Sequence, residues 1–159
     1  MKAARARLEH ELSLSRRMLT KHMDAAPRFI LELPHFKHMV ILTNLPASGF
    51  KRDMALRLIA NILAYKTALS FVFALQTLRP DTFYSMVVSP NLHLGALQMF
   101  DRNSMHFDEV MFFDPQHTDR DIIDLFPTGH MTLRYEDELE IRNFLEQNEA
   151  WPNTFILEV

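Results

Sequence analysis

Between residues 69 and 113, four extended runs rich in Phe, Val, Leu and Met follow one another, at 69–78, 82–89, 92–100 and 106–113. Only short turn-forming segments separate them: Arg79-Pro80-Asp81, Pro90-Asn91 and Asp101-Arg102-Asn103-Ser104. Separators this short leave no room for a crossover helix, so consecutive strands must turn back on themselves in an antiparallel meander. The run 92–100 also admits a short helix, in which Gly95 would cost stability; in a strand Gly95 reads as the mark of a bulge. In the first run Phe71, Phe73 and Leu75 alternate with Val72, Ala74 and Gln76, so both faces of the sheet are largely apolar. Such a sheet needs helices on both faces, or a second subunit on one.

The flanking sequence supplies helices. Residues 1–24 form an amphipathic N-terminal helix whose stripe is Leu8, Leu12, Ser15, Leu19 and His22; a stripe so narrow docks on its own domain or on a partner. After Pro27 come two strands, 29–33 and 37–43, parted by Pro34-His35. Ser48 reads as the N-cap of a central buried helix over 49–66, with Asp53 and Arg57 paired on its wet side. Beyond Asp114-Pro115, Thr118 and Asp121 resemble a capping box for a short helix ending near 126–127. A second helix over 135–148 points Leu139, Ile141, Phe144 and Leu145 inward, and after Trp151-Pro152-Asn153 residues 154–159 read as a last strand with Phe155 and Leu157 on one side and Ile156 on the other. The expected fold is one α+β domain over 1–159. It has a mixed, mainly antiparallel sheet of about five to seven strands, the central helix 49–66, and flanking N- and C-terminal helices.

What the chain lacks narrows its chemistry. It has no cysteine, which removes disulfides, thiolate ligands and thiol nucleophiles. Its three glycines form no phosphate-binding loop, and the zinc-helix, serine-elbow and calcium-loop motifs are missing, so no cofactor and no metal are expected. The longest uncharged stretch, 67–78, is too short to cross a bilayer, and the basic N-terminus is followed by charges instead of an apolar signal core. A cytoplasmic, membrane-free protein is expected. Residues 40–46 followed by a helix resemble the first strand of an RNA-recognition motif, but 81–88 lacks the basic residue, glycine and aromatic spacing of its stacking strand. The likeness covers about seven residues; no family is assigned, and nucleic-acid binding stands third among the functions weighed.

Charge is unevenly distributed. Residues 1–24 hold six Lys/Arg against three Asp/Glu, residues 25–100 seven against three, and residues 101–159 four against fourteen. A basic surface is therefore expected to meet an acidic one, inside the fold or between subunits. Two local features offer chemistry. At Ser48-Gly49-Phe50-Lys51-Arg52, two cations occupy a first helical turn that prefers anions, so Ser48, Lys51 and Arg52 are the candidate anion-binding residues; the bland alternative leaves both cations in solvent. In the loop 114–119, Asp114 and His117 are the candidate catalytic acid/base pair, although turn and cap formation also account for them. His35 and His38, three apart on a strand, point to opposite faces unless Pro34 distorts the chain. The leading expectation is a noncatalytic binding or regulatory protein that forms a homo-oligomer and takes a protein partner. The alternative is a small transferase or hydrolase built on residues 48–52.

Overall fold

The alternating runs assemble into one sheet. A computed structural model describes residues 1–25, 27–43, 45–126, 134–147 and 155–158, without the side chains of 144, 145, 147 and 155–158. The strands are β1 (Arg28–Leu33), β2 (Lys37–Leu42), β3 (Ser70–Thr77), β4 (Thr82–Ser89), β5 (Leu92–Asp101), β6 (His106–Phe107), β7 (Met111–Phe113) and β8 (Phe155–Glu158). The helices are α1 (Lys2–Thr20), α2 (Phe50–Tyr65), α3 (Arg120–Ile123) and α4 (Tyr135–Gln147). The turn at Trp151-Pro152-Asn153, the end of the short helix at 127, the inward contacts of Phe144 and Leu145, and the facing of Phe155, Ile156 and Leu157 lie outside the described residues.

Strand order is β6-β5-β4-β3-β1-β2-β8, with β7 also paired to β5, and every described pairing is antiparallel. The fold is α+β. The run 92–100 is a strand, and 106–113 is two short ones instead of one. The break at residues 108–110 follows from Gln98, whose side-chain N–H₂ donates to the Asp108 carbonyl at 2.7 Å. Gly95 marks no bulge: it pairs in register with Met86 on one side and Phe113 on the other. A Cβ there would lie 2.5 Å from the Phe113 ring, so the glycine exists to let that ring lie flat on the sheet.

Both faces of the sheet are covered by helices of the same chain. On one face Phe29, Leu31, Met39, Ile41, Phe71, Phe73 and Met86 join Leu56, Ile59, Ile62 and Leu63 of α2, Ile122 of α3 and Ile141 of α4. On the other, Val72, Ala74, Phe83, Val87 and Ala96 join Ala4, Leu8, Leu12 and Leu19 of α1. The helix approaches closely because Ala74, Ser85 and Ala96 stand opposite one another across β3, β4 and β5, a row of small side chains. Polar anchors fix its position: Arg7 donates to Glu32, to the Ser70 hydroxyl and to the Ile30 carbonyl, while Arg28 donates to Glu11 at 3.0 Å and to Ser15 at 3.3 Å. His22 falls beyond the helix end and is exposed, so the buried stripe is Leu8, Leu12, Ser15 and Leu19. Leu139, expected inside, is 45% exposed, and Arg57 pairs with Asp137 of α4 instead of Asp53, because α4 lies along the side of α2 that the sequence leaves polar.

Leu12 is 1% exposed, so Leu12→Ala should destabilise the protein by about 2–5 kcal/mol. The loss is expected to be the same at every protein concentration in denaturant titrations; a loss that itself changes with concentration would instead place α1 between subunits. Gly95→Ala should cost about 1–3 kcal/mol through displacement of Phe113, measured the same way.

Candidate functional site

The start of α2 is set by backbone conformation. Gly49 has φ 89°, in the left-handed region that glycine enters at least cost, and it is the N-cap. Ser48 therefore lies one residue too early and makes no capping hydrogen bond; its hydroxyl is in the exposed bend before the helix, and Lys51 is exposed on the first turn. Arg52 folds back. Its Nε donates to Asp121 Oδ2 at 2.9 Å and its Nη1 to the Pro46 carbonyl at 2.9 Å. An anion does sit at this charged helix start, and it is the chain's own Asp121. The hydrogen bond from Arg52 holds the Asp121 carboxyl below its ordinary range, against the opposing effect of partial burial.

The segment after β7 is tied to the sheet by similar contacts. Asp114 accepts the Gln116 backbone N–H at 3.0 Å and lies 3.1 Å from His93 Nε2, so its imidazole partner comes from β5 and not from the neighbouring His117, which is exposed. Asp119 accepts a short hydrogen bond from the Tyr84 hydroxyl. Burial, then the Asp119 contact, pushes the Tyr84 phenol well above its ordinary 10.0. The capping box read at Thr118 and Asp121 is replaced: Asp119 is the N-cap of α3, without a side-chain cap bond, because its carboxylate is turned to Tyr84. The Arg52–Asp121 pair brings the 48–52 and 114–121 segments to the same end of the molecule.

A cleft of about 540 Å³ opens at the other end of α2, roughly 24 Å from Gly49 for a helix of 16 residues. Leu33 and Pro34 line its apolar part, and His35, Lys37 and His38 come from the β1–β2 connection. The opposite wall is Lys66 and Thr67, just past α2. Both walls are built on left-handed backbone: His35 has φ 65°, Phe36 φ 59° and Thr67 φ 51°. Thr67 occupies the residue after the C-cap, where its N–H bonds to the Ala64 carbonyl and the Ala68 N–H to the Leu63 carbonyl, the paired pattern of a Schellman motif. At the other wall, Pro34 opens a tight turn whose two left-handed residues change the parity of the chain before β2. His35 and His38 consequently line one cleft instead of facing opposite ways.

The crowding of His35, Lys37 and His38 around Pro34 was visible in the sequence. Their meeting with Lys66 was not, because it depends on where α2 ends in space. Likewise nothing local links His93 to Asp114 or Tyr84 to Asp119. No group of His, Asp and Glu suited to a metal ion occurs among the described residues, and no described helix is long and apolar enough to cross a membrane. Comparison of the chain with protein-family models, with curated proteins and with solved structures finds no match.

The Asp121 shift has a definite pH consequence. A carboxyl whose folded value is depressed stabilises the fold above its ordinary value of 3.8 and loses that contribution as pH falls below 3.8 through the folded value. Wild type should exceed Asp121→Asn in stability at pH 6, and the gap should close in this acid range when unfolding is followed by circular dichroism. A constant gap from pH 6 to pH 2 would show that the charge pair is not its source.

Proposed function

We propose that the protein is a noncatalytic binding protein that takes a small ligand in the cleft between the β1–β2 turn and the C-terminal end of α2. The observation that carries this reading is the cleft's construction. Its volume is that of a small-molecule site, and its polar groups converge from two separate parts of the chain. Left-handed conformations at non-glycine residues cost about 1–2 kcal/mol each and tend to gather where function over-determines the backbone. By contrast, Arg52, Asp114 and Asp119 at the sequence-predicted sites each bind another residue of the fold.

The proposal includes a cytoplasmic homo-oligomer, but its interface moves. The apolar stripe of α1 packs on its own sheet, whereas Phe50 and Met54 of α2 and Tyr135 and Leu139 of the adjoining α4 are exposed at i,i+4 spacing. The small-enzyme reading keeps one specific support, the His93–Asp114 pair, an imidazole oriented by a carboxylate at 3.1 Å.

Native mass spectrometry of freshly purified protein tests both parts in one measurement. A retained small molecule, one per chain, is expected in wild type and is expected to be missing from Lys37→Ala/His38→Ala, with subunit number unchanged. Retention at equal level by that double variant would place the ligand elsewhere; a monomer at every concentration would remove the oligomer.

A further inference from the structure

Resting on the cleft being a ligand site, we infer that its ligand is a small organic phosphate, the phosphoryl group held by Lys37, His35 and His38 and the organic part lying on Leu33 and Pro34. The lining contains no Asp or Glu, in a chain with more acidic than basic residues. Lys37 brings a full positive charge, Lys66 stands across the cleft, and two exposed imidazoles offer N–H donors between them. A cation would meet the full positive charge of Lys37, and a neutral ligand would make no use of it.

One feature opposes an anion: the C-terminal pole of α2, equivalent to about half a negative charge. Its effect is blunted because the Thr67 and Ala68 N–H groups turn back onto the Ala64 and Leu63 carbonyls. The full charge of Lys37 therefore outweighs the pole. Size argues for more than a bare ion, since about 540 Å³ greatly exceeds one phosphate, and the apolar contribution of Leu33 and Pro34 suits a compact organic body. Phosphate is favoured over a single carboxylate because its three terminal oxygens match donors arriving from several directions.

The test is calorimetric titration of the full chain at low salt with phenyl phosphate, inorganic phosphate and the neutral benzyl alcohol, together with flotation on phosphatidylcholine vesicles with and without phosphatidate. Phenyl phosphate should bind more tightly than inorganic phosphate, benzyl alcohol should not bind, and Lys37→Gln should weaken phenyl phosphate about tenfold. His38→Gln should weaken it as well, with both variants retaining the wild-type circular dichroism spectrum. Binding to phosphatidate vesicles without binding of phenyl phosphate would uphold the phosphate group and give its source as a lipid headgroup. No binding to either, or phenyl phosphate affinity unchanged by Lys37→Gln, overturns the inference. If a neutral molecule is then still retained by wild type and lost from the Lys37/His38 double variant, the cleft stands as a ligand site and only its phosphate assignment fails.

Discussion

The structure depends on β3, a central strand that is apolar on both faces. Phe71 and Phe73 enter one core and Val72 and Ala74 the other. Leaving either set in water would forfeit on the order of 1.5–3 kcal/mol for each large side chain, so neither face can stand open. The chain meets the requirement with its own helices, α2 and its neighbours on one side and α1 on the other. The small row Ala74, Ser85 and Ala96 decides where α1 can lie. The Arg28–Glu11 pair and the Arg7–Glu32–Ser70 network decide in which register it lies. The buried Arg28–Glu11 pair adds little net energy but penalises misplacement heavily, because a shifted helix would leave a charge buried without its partner.

The second organising element is α2, which connects the acidic end of the sequence to the rest. Arg52 at its start holds Asp121, Arg57 at its middle holds Asp137, and Tyr65 at its end bonds to Arg142. The charge asymmetry of the sequence is thus met in part within one chain. Since residue numbers rise together along α2 and α4 in these contacts, the two helices run parallel. The polar side of α2 is thus a helix contact only in part: Arg57 reaches Asp137 while its side chain stays 62% exposed, Asp53 is exposed, and Asn61 further along is buried.

The same helix has different surroundings at its two ends. At its start Arg52, one of the two cations that looked available for an external anion, already holds Asp121, while Lys51 stays exposed. Its far end faces a turn forced into left-handed backbone by the tight connection at Pro34, and the space between them is lined with positive groups. A helix start invites anions through its dipole, yet the phosphate site inferred above lies at the opposite pole, where side-chain charge and a self-satisfied cap stand against the backbone preference.

Much of the architecture was legible in the order of residues. The antiparallel meander, the central helix, the amphipathic first helix and the need to cover two sheet faces all follow from periodicity and turn chemistry, which act over a few residues at a time. The broken strand at 108–110, the role of Gly95 beneath Phe113 and the N-cap at Gly49 were not legible, since each depends on a side chain or a backbone angle set by neighbours far along the chain. The same limit applies to the sites. Types and spacing pointed to Arg52, Asp114 and His117, but pairing is decided in three dimensions, where Asp121 reaches Arg52 across 69 residues and His93 comes to Asp114 from the next strand. The sequence by itself determined most of the strand and helix segments and that no face of the sheet could be left bare. Only the tertiary structure decided that α1 covers that face and that the open cationic cleft lies at the end of α2, because both depend on long-range packing that no local pattern encodes.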